Sequence, residues 1–248
     1  MRTANPALKD GTFTGARTAP GAPAMTLRGT ATKSLVLLLL TAFAASFTWN
    51  AVASGNTGIV GPAALVGGIG GFVVALVTVF KPRLAPYTAP LYAVLEGLLL
   101  GGVSALYDAR FAGLPLQAVT LTFGVFFALL IVYRTGLVRA TENFRLGVFA
   151  ATGGIMVMYL LSFVLRFFGV QMAFLHDSSP LSIGISLVVV VVAALNLVLD
   201  FDFIERGVEH GAPRYMEWYG AFGLLVTLVW LYLEMLRLLA KLQGRSRD

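Results

Sequence analysis

Seven stretches of apolar residues recur along the chain, each long enough to cross a bilayer as a helix, with short polar breaks between them. A hydrocarbon core of about 30 Å calls for about 20 apolar residues of helix. On that scale the spans run over residues 34–53, 61–80, 91–107, 119–138, 146–168, 181–204 and 219–239. Valine-rich runs such as Leu187 to Val192 suit a buried strand in isolation, but the length of the sixth stretch and the lack of turn residues within it favour helix. Pro82, Pro86 and Pro90 end the second span and open the third, and Gly211-Ala212-Pro213 breaks the chain before the seventh.

The expected fold class is therefore all-α, a polytopic membrane bundle of seven transmembrane helices. A polar tail over 1–33, rich in Thr, Ala, Pro and Gly, is expected to be mobile. The helical domain then covers 34–242, and a basic tail covers 243–248. The first span has a longer apolar run than a cleaved signal peptide carries, so it reads as a retained helix.

Composition agrees. The chain is 58% hydrophobic and 12% charged, about half the charge of a soluble domain. It has no cysteine, which excludes disulfides and thiolate metal sites, and its two histidines are too few for a histidine cage. No phosphate-binding loop, nucleophile elbow, zinc-protease or dinucleotide motif is present, so neither an enzyme nor a resident cofactor is expected. Nothing points to nucleic acid, and the expected surroundings are the lipid bilayer.

Charge sets the orientation. Arg2, Lys9, Arg17, Arg28 and Lys33 precede the first span, the loop 54–58 carries no charge, and Lys81 and Arg83 follow the second span. That alternation puts the N-terminus in the cytoplasm. Seven crossings then leave the C-terminus outside, although Arg237, Lys241, Arg245 and Arg247 cluster there. A full seventh crossing is the favoured reading. Gly67 and Gly71, and Gly97 and Gly101, have the small-xxx-small spacing of close helix contacts, expected to serve packing within the bundle.

The candidate chemistry lies in the ionisable groups within spans, where each costs about 2.5–3.5 kcal/mol at the centre. Asp200 shares a helix face with Asn196 one turn earlier, which suits a cation path. Asp202 has Arg206 four residues on, the spacing of a local ion pair. Glu96 sits in the third span and Glu234 in the seventh, the latter three residues before Arg237, with Thr227 two turns earlier on its face. Asp200, Glu96, Asn196 and Thr227 are the expected cation-binding or gating set. Asp202, Arg206 and Glu234 are secondary, and no tightly bound metal is expected. His176 and His210 fall in loops.

The stretch Leu199-Asp200-Phe201-Asp202-Phe203-Ile204-Glu205-Arg206-Gly207 resembles the sixth-helix signature of the Bax-inhibitor (TMBIM) superfamily. Asn5-Pro6-Ala7-Leu8-Lys9-Asp10-Gly11-Thr12-Phe13 and Tyr215-Met216-Glu217-Trp218-Tyr219 are similar to motifs of a bacterial subgroup. The resemblance implies six helices around a central seventh, a bacterial inner membrane, and a pH-sensitive passive leak of calcium or another cation. It implies a proton shared by two aspartates on helices six and seven, latched to a helix-two arginine. By position the first of these is Asp200. The second falls on Thr227, which has no such proton, and Glu96, where many relatives carry Thr, is a substitute carboxylate. Lys81 or Arg83 lie nearest to the arginine. The resemblance also implies an alternative: a non-conducting partner or modulator of a membrane-bound protease, with the N-terminal tail as the handle.

Overall fold

A computed structural model describes residues 23–169 and 177–245. Seven long helices occur among them: α1 (Leu27–Ala53), α2 (Val60–Phe80), α3 (Ala85–Arg110), α4 (Leu114–Arg134), α5 (Glu142–Phe167), α6 (Pro180–Glu209) and α7 (Met216–Arg245). Short 3-10 turns at Thr57–Ile59 and Pro82–Leu84 precede α2 and α3. All seven are long and apolar enough to cross a membrane.

The boundaries follow caps rather than hydropathy. The polar tail expected over 1–33 ends early, because α1 begins at Leu27. Thr26 caps it by accepting the Gly29 N–H at 2.9 Å. Residues 1–22 lie outside the described residues, as does His176. The basic tail also starts late, since α7 runs to Arg245.

The fourth span is displaced. Its helix starts at Leu114 after Gly113 and stops at Arg134, short of Val138. Gly136 adopts φ +73, a left-handed turn that ends a helix whatever apolar residues follow. Pro90 also departs from expectation: it sits inside α3, with Pro86 in the first turn. Before α6, Asp177 accepts from the Ser179 N–H and hydroxyl, and Ser179 Oγ accepts from the Ser182 N–H. The Ser179 hydroxyl holds the Asp177 carboxyl below its usual range.

Large apolar side chains face outward. Phe43 and Phe167 are 77% and 76% exposed, and Phe72, Phe80, Leu137 and Val188 are also exposed. In water such a surface would aggregate; against lipid tails it is the ordinary exterior. Burial is uneven along the chain. In the most apolar stretch of each helix, 72% of residues are buried in α7 and 6% in α5.

The described chain divides into two compact units. One contains residues 23–112 with Asp200–Val226, the other Gly113–Leu199 with residues 227–245. In the first unit α3 packs on both α1 and α2 through glycines. A Cβ on Gly97 would lie 2.7 Å from Ala44 Cβ, one on Gly101 would lie 2.8 Å from the Ala45 carbonyl carbon, and one on Gly67 would lie 2.9 Å from Leu99 N. These glycines therefore serve internal packing, the role the spacing predicts. In the second unit Ala140, Val148 and Leu199 form a small core with Phe144 and Leu195.

Candidate functional site

Around Asp200 the sequence of α6 is almost wholly apolar, and the side chains there are buried: Leu197, Val198, Leu199, Phe201 and Phe203. Asp200 itself is 0% exposed. A carboxylate held there is costly, which makes it the most informative group in the chain. Two residues on, Asp202 points away from it, about 200° around the helix, and forms the expected ion pair with Arg206.

In the same unit Glu96 is buried on α3. One of its carboxylate oxygens lies 3.3 Å from where a Gly71 Cβ would stand on α2, so the absent side chain of Gly71 leaves room for the acid. Tyr92, one turn earlier, interacts with the carboxyl.

A chain of buried rings runs from the Glu96 turn to the Asp200 turn. Tyr92 meets Phe222 edge-on with centroids 5.0 Å apart. Phe222 lies 6.4 Å from Tyr219, and Tyr219 lies 6.3 Å from Phe203 on α6. Tyr92 is four residues before Glu96, and Phe203 is three residues after Asp200. Such spacings are favourable for aromatic pairs, and the four rings fill the space they occupy.

Three further candidates lie in the other unit. Asn196 Nδ2 donates to Thr152 Oγ1 on α5 at 2.9 Å and to the Val192 carbonyl at 2.8 Å. The first bond joins α5 to α6, and the second stays within α6. Thr227 is buried on α7. Glu234 is also buried and is held on several sides: Tyr159 donates at 3.0 Å and Arg237 Nη1 at 2.8 Å. The Arg237 guanidinium also lies over the Tyr159 ring at 5.0 Å. The i,i+3 ion pair expected from sequence is present, and Tyr159 on α5 completes it.

One buried acid has more partners than its place in the sequence suggests. Glu217, in the first turn of α7, is buried and accepts from the Thr26 N–H at 3.0 Å and the Thr26 hydroxyl at 2.9 Å. It also pairs with Lys33. Met25 N donates to the Ala212 carbonyl at 2.7 Å, so residues 24–26 are strapped to the break before α7. The signals were Glu217 within the Tyr215–Tyr219 motif and Lys33 flanking the first span. The residues that join them are about 190 positions apart, and no local spacing relates them. Lys241, in the basic cluster at the end of α7, is buried and donates to Ser186 Oγ at 2.7 Å.

Among the described residues no group of three or more His, Asp or Glu side chains is arranged to hold a metal ion.

A family model described as Bax inhibitor 1 like matches residues 5–244. The chain belongs to this family. No curated protein and no solved structure matches it. As a Bax inhibitor 1 like protein with seven apolar helices, it is a multi-pass membrane protein. Within this Bax inhibitor 1 like chain the buried acid of α6 is Asp200, and Thr227 is a buried hydroxyl of α7.

Proposed function

We propose that this membrane protein is a passive, pH-sensitive leak for calcium or a similar cation, with Asp200 as its gating carboxylate and Glu96 as a second. The observation that carries the reading is a wholly buried carboxylate on an apolar spanning helix. A hard cation takes oxygen ligands, and Asp200 and Glu96, which lie in one unit, supply them. On this reading the packed rings of Tyr92, Phe222, Tyr219 and Phe203 close the path. Ions would pass only when these rings part.

The membrane is the bacterial inner membrane, and the N-terminus is cytoplasmic. The basic end of α7 is compatible with a full crossing. Arg237 is paired with Glu234, and Lys241 donates to Ser186, so two of its cations are engaged within the protein.

The test is calcium-indicator flux into liposomes holding the purified protein. Flux above empty liposomes, saturating with calcium and changing between about pH 6 and pH 8, supports the leak. No flux at any pH from folded protein contradicts it and favours the non-conducting protease partner.

A further inference from the structure

Between α5 and α6 lies an open groove of about 640 Å³. Gly154 and Met158 line it on α5, with Leu181, Gly184, Val188 and Val192 on α6. Its lining is almost wholly apolar. From Pro180 to Val192 it spans about 18 Å at 1.5 Å per residue, more than half of a ~30 Å hydrocarbon core. The glycines here differ from those around α3. A Cβ on Gly154 or Gly184 would meet nothing within 4 Å among the described residues, so no described helix of this unit fills the space.

Two cations lie near one end of the groove, outside its apolar lining. Lys241 Nζ reaches the first turns of α6, donating to the Ser182 carbonyl at 3.3 Å and to Ser186 Oγ at 2.7 Å. These residues directly follow the groove-lining Leu181 and Ile185. A Cβ on Gly244 would stand 2.9 Å from Ser178 Oγ, which puts the last turn of α7, with exposed Arg245, against the entry to α6. Among the described residues the buried Ser182 hydroxyl beside Lys241 has no hydrogen-bond partner. The acid at this end, Asp177, is engaged by Ser179. The N-terminus of α6 adds its own partial positive charge.

We propose that the groove is a binding site for an anionic phospholipid. One acyl chain lies along α5 and α6, and the phosphate sits at the mouth beside exposed Arg245, with the buried Lys241 charge behind it. Charge complementarity at the mouth selects the headgroup, and the open glycines admit the chain. Basic pockets between spanning helices recognise anionic headgroups on this principle.

The probes are phosphatidylglycerol and phosphatidylcholine with identical acyl chains, titrated into detergent-purified full-length protein and counted by native mass spectrometry. Phosphatidylglycerol should bind about fivefold more tightly, the selectivity that one Lys or Arg near a headgroup confers. Gly184→Leu and Gly154→Leu should lower occupancy by both lipids. Lys241→Gln should remove the preference alone. Since Lys241 is buried, Arg245→Gln serves as a second variant that cannot disturb the interior. Equal binding of the two lipids by wild type overturns the proposal. So does a headgroup preference that survives both cation variants, or lipid occupancy unaffected by both leucines.

Discussion

Tyr92 on α3 and Phe222 on α7 meet edge to face with their ring centroids 5.0 Å apart. This contact is the link between the helix that carries Glu96 and the helix that begins just after the Asp200 segment. If the ring chain is the closed gate, thinning it should raise the leak. Phe222→Leu removes the ring but keeps an apolar residue. Flux in liposomes should rise several-fold over wild type, with stability reduced by about 1 kcal/mol from the lost ring pair. Unchanged flux in a folded variant would separate the ring chain from conduction.

The glycines give a stability prediction with an internal control. Gly97→Ala and Gly101→Ala place a methyl against α1, where Ala44 and Ala45 already stand. Each should destabilise by about 1–3 kcal/mol, the usual cost of overpacking. Gly154→Ala and Gly184→Ala meet open space and should be neutral or stabilising by up to about 1 kcal/mol, since alanine is the better helix former. Thermal unfolding in detergent reads all four.

The strap between α1 and α7 rests on Glu217. Glu217→Gln removes the ion pair with Lys33 and weakens the two bonds from Thr26. A loss of about 1–3 kcal/mol is expected. Gly29→Val should act in the same direction, because a side chain there would run into the Glu217 carboxylate. Proteolysis near residues 23–26 should speed up in both variants. Equal cleavage rates in both variants and wild type would mean that the strap does not hold that segment.

Glu234 and Asp200 are both buried acids on spanning helices, and their surroundings separate their roles. Glu234 is held by Arg237 and Tyr159. Glu234→Gln should therefore lower stability by about 1–3 kcal/mol and leave the pH profile of flux unchanged. A lost pH response would make Glu234 part of the gate.

Much of this was legible in the chain. The apolar spacing marked all seven helices, because lipid demands runs of that length. The i,i+4 pair Asp202–Arg206 and the i,i+3 pair Glu234–Arg237 follow from helix geometry alone. Helix ends were less legible. Hydropathy carried the fourth span past Arg134, while the backbone of Gly136 stops the helix there. The first helix reaches back to Leu27, because the Thr26 cap and the Lys33–Glu217 pair hold its polar turns. Contacts distant in sequence were not legible. The bond from the Asn196 amide to Thr152 on α5 is one of them. Nor does any spacing announce that Tyr159 reaches Glu234, or that Thr26 reaches Glu217.

The most direct measurement is calcium flux as a function of pH for wild type, Asp200→Asn and Asp202→Asn in matched liposomes. The two acids are two residues apart on one helix, so the comparison controls for charge and depth. Asp200→Asn should abolish the pH response or the flux itself, and Asp202→Asn should retain both. If Asp200→Asn conducts like wild type at every pH, Asp200 is not the gate and the carboxylate-controlled leak is contradicted.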